Sequence, residues 1–195
     1  MHSRFSHDSS TGLEDLAARA REVGLDRIAL TDHNTAEGAL RLHEAEPELC
    51  IVGEEVKTTE GEVIGLWITR SLRPFQRPEA VMDEIHEMGG VVYVAHPFDR
   101  WRSSFAAQRI VALAGRIDVI ETYNQWADER ANRQAAELAA ELGKPGLAGS
   151  DAHGVSELGH SWNEVEPFSG PAEFLVRLAT VTSHRSEVSG SQRRV

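Results

Sequence analysis

The sequence is short of several things at once. It holds a single cysteine, Cys50, in 195 residues, which excludes a disulfide framework within the chain and any zinc cage built on Cys-x-x-Cys steps. A lone thiol fits a reducing cytoplasm, and that is the expected location. No apolar run approaches the roughly 18 residues that crossing a bilayer takes, and no leader pattern opens the sequence, so no membrane partner is expected. Basic residues are outnumbered, 20 Lys and Arg against 31 Asp and Glu, for a formal net charge of −11. A protein that grips long nucleic acid needs the opposite footprint. No GxGxxG or GxxxxGK[ST] turn follows a strand-like run, which removes the usual phosphate-cradling loops. There is no internal repeat or low-complexity tract.

Histidine is what the sequence has in quantity, nine of them beside that surplus of carboxylates. Short apolar, β-branched runs occupy residues 27–30, 50–52, 63–68, 91–95, 117–120 and 146–148. Helical spacing fills most of the gaps. Leu13, Leu16, Ala17, Ala20 and Val23 precede Gly24; Val81, Ile85 and Met88 lie between Pro78 and Gly89-Gly90. An Ala/Glu/Leu helix over 131–142 is closed by Gly143 and Pro145, and a last helix over 172–180 follows a connector at 164–171. This alternation predicts an α/β fold with a parallel sheet, either closed into a barrel or open and doubly wound. A single domain over residues 1–182 and a flexible tail over 183–195 account for the length.

The apolar runs end in reactive side chains. Residues 27–30 lead into Thr31-Asp32-His33-Asn34, 50–52 into Gly53-Glu54-Glu55, and 91–95 into His96-Pro97. Residues 117–120 lead into Glu121-Thr122-Tyr123-Asn124, and 146–148 into Gly149-Ser150-Asp151-Ala152-His153. In parallel α/β folds the loops after the strands converge at this edge, and sites assemble there. Imidazole and carboxylate without thiolate suit Zn, Mn or Fe rather than a structural zinc site. There are more such groups than one tetrahedral ion needs, which predicts two or more ions. Clustered ions activate a water as hydroxide and clamp the oxygens of a displacement at phosphorus.

Five motifs, taken together and in order, resemble the PHP superfamily, the polymerase and histidinol phosphatase domains. They are His2-Ser3-Arg4-Phe5-Ser6-His7-Asp8-Ser9, Thr31-Asp32-His33-Asn34-Thr35, Glu55, Ala95-His96-Pro97 and Ser150-Asp151-Ala152-His153, and the likeness runs to about Trp162. The resemblance implies a distorted seven-stranded (βα) barrel holding two or three divalent ions (Zn, Mn or Fe) and hydrolysing phosphoesters. As metal ligands it implies His2, either His7 or Asp8, His33, Glu55 as the bridging carboxylate, His96, Asp151 and His153. Catalysis would centre on His33, Asp151 and His153. There are two departures. The first histidine of the family's opening His-x-His pair would fall two residues before His2, outside this sequence. Glu62 stands where some relatives carry a histidine, either as an oxygen ligand in its place or with a third ion loosely held.

The remaining polar residues divide between site and scaffold. Glu54 and Glu55 must face opposite sides of a strand, and the motif favours Glu55. Asp32 reads as a residue orienting a ligand. Arg100 and Arg102 could grip a substrate phosphate bidentately, or sit as surface arginines beside Asp99. Asn124 reads as a substrate contact or as turn chemistry. His43, His86, His160 and His184 are expected to have no metal role, and Cys50 to be an inert buried thiol. Trp101 and Trp126 read as pocket walls. The expected partner is a small phosphorylated substrate, a phosphomonoester or short nucleotide, with no long nucleic acid. The rivals are a hydrolase of a C–N or C–O bond and a non-catalytic metal-binding accessory module.

Overall fold

Six strands lie in chain order across one curled sheet: β1 (Ile28–Leu30), β2 (Cys50–Lys57), β3 (Glu62–Leu66), β4 (Val91–Val94), β5 (Val119–Asn124) and β6 (Gly146–Gly149). The computed structural model describes residues 1–186. The helices are α1 (Leu13–Glu22), α2 (Glu37–Ala45), α3 (Pro78–Glu87), α4 (Ala107–Leu113), α5 (Glu129–Glu141) and α6 (Pro171–Arg177). In α1 the stripe Leu16, Ala17 and Ala20 is buried, and Gly24 breaks the chain away at φ 75°, a conformation only glycine takes freely. Pro78 opens α3, where its missing N–H costs nothing. The Asp128 carboxylate caps α5 by accepting the Ala131 N–H at 2.7 Å.

Strand alternation sorts the core into two layers. Ile28, Leu30, Cys50, Val52 and Val63 pack with Leu16, Leu42, Met82 and Ile85 of the helices. On the other face Tyr93, Ala95, Val119 and Leu147 pack with Phe174, and Ala29, Ile51 and Ile64 lie against them partly exposed. The inner face of the curl is therefore less completely filled than the outer.

The expected all-parallel sheet needs correcting at β3. It runs antiparallel to both β2 and β4, while the pairs β1–β2, β4–β5 and β5–β6 are parallel. The reason is length. β2 continues past the apolar run to Lys57, so residues 58–61 alone join it to β3, and a parallel crossover needs about a dozen. The extension also places Glu54 and Glu55 within a strand rather than beyond its end.

Six strands are assigned to this sheet where seven were expected, and an extended segment stands at the seam. The Met1 carbonyl accepts the Thr31 N–H at 2.9 Å, and the His2 N–H donates to the Ala152 carbonyl at 2.8 Å. Residues 1–3 thus bridge the end of β1 and the turn after β6. Beside β6 a two-stranded antiparallel sheet forms from β7 (Ser161–Glu164) and β8 (Thr182–Arg185). Asn163 of β7 docks it: its amide accepts the Ala148 N–H at 2.9 Å and donates to the Ala148 carbonyl at 2.8 Å, as a neighbouring strand would. Residues 183–185, placed by the sequence in a flexible tail, belong to β8; residues 187–195 of that tail lie outside the described residues. Among the described residues no helix is long and apolar enough to cross a membrane.

Candidate metal centre

Backbone pairing carries the functional side chains to one rim of the curl. The Asp32 carbonyl accepts the Glu55 N–H at 3.2 Å and the Glu55 carbonyl accepts the Asn34 N–H at 2.9 Å. This sets His33 against Glu55 as a parallel bridge beyond the end of β1. His96 follows β4, and Asp151 and His153 follow β6. His2 enters from the seam. There Asp32 holds the neighbouring Ser3, accepting its N–H at 2.5 Å and its hydroxyl at 2.7 Å.

Among the described residues three donor sets result, each with its ligand atoms within 4.8 Å of one another: His2, Asp8, His33 and His153; His2, Glu55 and Asp151; and Glu55, Glu62 and His96. In the first, Asp8 Oδ2 lies 3.1 Å from His153 Nε2 and 3.3 Å from His33 Nε2. In the second, His2 Nε2 lies 3.1 Å from Asp151 Oδ1 and 3.3 Å from Glu55 Oε2. The other oxygen of Glu55, Oε1, faces His96 Nε2 at 3.1 Å, so this carboxylate serves two sets at once. The His2 ring stacks on those of both His33 and His153, with centroids 4.5 and 4.2 Å away.

The far nitrogens of these rings are also held. His153 Nδ1 donates to the Asp151 carbonyl at 2.9 Å, with Nε2 turned to Asp8. His2 Nδ1 lies 3.4 Å from Ser6 Oγ, and His96 Nδ1 3.4 Å from Ser104 Oγ. Imidazoles fixed through one nitrogen, with the other turned onto carboxylate oxygens, form a donor set that fits divalent ions.

Electrostatics follow from burial and pairing. Burial disfavours a charged His96, but the Glu55 carboxylate against it wins and its pKa rises to about 9. His2 is raised against its burial by Asp151 and Glu55. Burial leaves His33 lowered, despite the nearby Glu55. Glu55 is held well below the usual carboxylate range, against its burial, by His2 and His96. Asp151 is brought to about 2, again against burial, by His2 and Arg102.

Of the two residues left open in the first motif, Asp8 joins the centre. His7 is exposed, with its ring centroid 5.4 Å from that of His33. Glu54 points to the opposite face from Glu55, as alternation requires, and accepts the Leu72 N–H at 2.9 Å. Arg102 reaches the centre and pairs with Asp151. Arg100, expected beside it, is exposed and acts electrostatically on Asp128 instead, because the loop turns it outward. The Asn124 amide donates to Glu121 at 3.1 Å and to Asp151 at 3.4 Å, which makes it a brace for two carboxylates. Trp126 lies at the site through its indole N–H on the Asp151 carbonyl, 3.1 Å, whereas Trp101 is 87% exposed. His43, His86 and His184 bond to Cys50, Asp118 and Glu164, all away from the centre.

Three participants were given no role by the sequence reading. Glu121 is buried and accepts the His96 N–H at 2.6 Å and the Tyr93 hydroxyl at 3.1 Å. Its place directly after an apolar run was the available signal. Ser6 donates its hydroxyl to Asp8 at 2.8 Å and accepts the His33 N–H at 3.2 Å. Lys57 pairs with Glu62 at 3.4 Å, and nothing in the motif marked it. A cavity of about 760 Å³ starts at His2, Glu55, His96 and Asp151 and continues along the inner face of the sheet to Arg27 and Phe168.

Fold and site together define an α/β barrel protein with candidate metal sites gathered at one rim. A family model described as the PHP domain matches residues 1–61, and one described as PHP-associated matches residues 129–179. An uncharacterized protein of Methanocaldococcus jannaschii, MJ0417, is 30% identical over 166 residues, which cover 79% of this chain and 67% of that protein. The chain belongs to the PHP superfamily. It spans about two thirds of the length of the curated relatives it matches, 63% and 67%. Among solved structures, it is similar to a two-domain protein from Bacteroides vulgatus containing a predicted PHP-like metal-dependent phosphoesterase. That match has a TM-score of 0.75 at 16% identity, covering 96% of this chain and 64% of that one. It is also similar to an amidohydrolase from Chromobacterium violaceum with bound sulfate and no metal: TM-score 0.66 at 15% identity, covering 78% and 85%. At these identities the likeness is one of fold.

Proposed function

We propose that this chain is a metal-dependent phosphoesterase of the cytoplasm, acting on small phosphomonoesters or short nucleotides. One observation carries the reading: Glu55 turns one oxygen to His2 and the other to His96, so that two donor sets adjoin across a single carboxylate. His2, Glu55 and Asp151 would hold one ion and Asp8, His33 and His153 another, with His96 on the far oxygen of Glu55. Divalent ions, of zinc, manganese or iron, supply Lewis-acid charge stabilisation at phosphoryl oxygens and draw a nucleophile from water at neutral pH.

The chain's own groups supply the rest. Ser6 and Glu121 fix Asp8 and His96, so that the donors need not reorganise when substrate arrives. Arg102 is part-exposed and paired with Asp151; its planar fork can exchange that partner for a phosphate oxygen. A water in the site would supply the proton to the departing oxygen, because His33 and His153 would be engaged as ligands. A cavity of about 760 Å³ falls within the roughly 300–1,000 Å³ usual for small-molecule sites, and the net charge of −11 disfavours a long polyanion.

The test is phosphate release from a panel of phosphomonoesters and nucleotides with Mn²⁺ or Zn²⁺ added, alongside measured metal content. Activity should appear with bound metal and disappear in His33→Ala and Asp151→Ala variants that keep their circular dichroism. Bound metal with no phosphoester hydrolysed would overturn the reading, and turnover of C–N or C–O substrates alone would favour the rival hydrolase.

A further inference from the structure

The third donor set contains its own cation. Lys57 lies two residues beyond Glu55 on β2 and so projects to the same face, and it is the register partner of Glu62 across the β2–β3 ladder. Its ammonium sits 3.4 Å from Glu62 Oε1 and is hydrogen-bonded to Ser103 Oγ. The Ser103 carbonyl accepts the Glu62 N–H at 2.9 Å, so one loop residue fixes both members of the pair. The Glu62 side chain is only 12% exposed, and a carboxylate so enclosed needs a positive partner.

We propose that the Lys57 ammonium takes the place of an ion at Glu62, so that the centre holds two divalent ions and not three. The set formed by Glu55, Glu62 and His96 is the poorest of the three for an added ion. Like the set of His2, Glu55 and Asp151 it has one imidazole and shares Glu55, but here a dication would also meet an ammonium held against one of its ligands from within the sheet. Arg102 on Asp151 differs in kind. It pairs with Oδ2, leaving Oδ1 toward His2, and it stands on a loop that substrate can displace, whereas Lys57 is fixed within a ladder. Lys57 is thus a positioning residue that holds Glu62 as an ion pair instead of a ligand.

The inference rests on the metal-centre reading, and its test separates the two. The whole chain and its variants are dialysed against Mn²⁺, and bound metal per chain is measured by mass spectrometry, with anomalous maps from crystals. The wild type should hold two ions, and Lys57→Met should hold three, the new one between Glu55, Glu62 and His96. Glu62→Gln, which does not depend on the Lys57 variant folding, should keep two. Three ions in the wild type, loss of one in Glu62→Gln, or no gain in folded Lys57→Met would each overturn the proposal. A wild-type content below two would overturn the metal-centre reading itself.

Discussion

Replacing Glu54 by Gln should stabilise the protein, with most of the gain confined to neutral and higher pH. Glu54 is fully buried on the face of β2 opposite Glu55. Its Oε2 accepts the Leu72 N–H, and its Oε1 has no hydrogen-bond partner among the described residues. Burial raises its pKa from 4.5 to about 7, with the Leu72 bond opposing the shift. An acid whose folded pKa is raised binds its proton more tightly folded than unfolded. Stability is therefore lost as pH climbs from the unfolded value of 4.5 to the folded value of about 7. At about 1.4 kcal/mol per pH unit, the ionised group costs about 3 kcal/mol at pH 8 and under about 1 kcal/mol at pH 5. Gln keeps an oxygen for Leu72 and carries no charge, so the variant should gain most of that difference. Urea unfolding at pH 5, 6.5 and 8, with unchanged m-values, measures it. A gain no larger at pH 8 than at pH 5 would refute the reasoning. Glu55→Gln is the matched control: it should lose bound metal, which Glu54→Gln should keep.

Two further outcomes follow from the centre. Arg102→Met should raise KM for a phosphoester about 10- to 100-fold, the worth of a charged hydrogen bond of about 1.5–3 kcal/mol, with a smaller effect on kcat; steady-state kinetics with KM unchanged would remove Arg102 from substrate binding. His2 has its pKa raised above 6.5 by Asp151 and Glu55, against its burial, so an ion that takes its nitrogen at pH 6.5 must displace a proton. Apparent affinity should fall as pH falls, and calorimetry in two buffers of different ionisation heat should give different binding heats; identical heats would count against His2 as a ligand.

The parts of the centre legible in the sequence were those fixed by strand ends. His33, His96, Asp151 and His153 each follow an apolar run, and the run's length alone brings them to one edge. The choice of Asp8 over His7 was not legible, because it depends on the Ser6 hydroxyl, which bonds Asp8 while receiving the His33 N–H. Arg100 and Arg102 look equivalent as letters, and loop geometry alone sends one to Asp151 and the other outward. The antiparallel β3 was obscured for a related reason. Gly53-Glu54-Glu55 reads as the end of a strand, when the strand continues through it because Glu54 and Glu55 are both buried, one on each face.

The backbone at the rim shows what holding these groups requires. His96 has φ 30° and Asp151 φ 45°, and Asn34, next to His33, has φ 57°. Left-handed conformations cost roughly 1–2 kcal/mol per residue without glycine, so three of them oppose folding unless neighbours fix them. Each is fixed. Glu121 takes the His96 N–H, Trp126 bonds the Asp151 carbonyl, and Asn34 Oδ1 accepts the Lys57 N–H at 2.9 Å. Strain of this kind gathers where side chains must point against the regular course of a strand end. Here it turns donor atoms inward from the loops after β4 and β6. Glu121 and Trp126 therefore act on the centre through the backbone: removing either should loosen His96 or Asp151 before it unfolds the sheet.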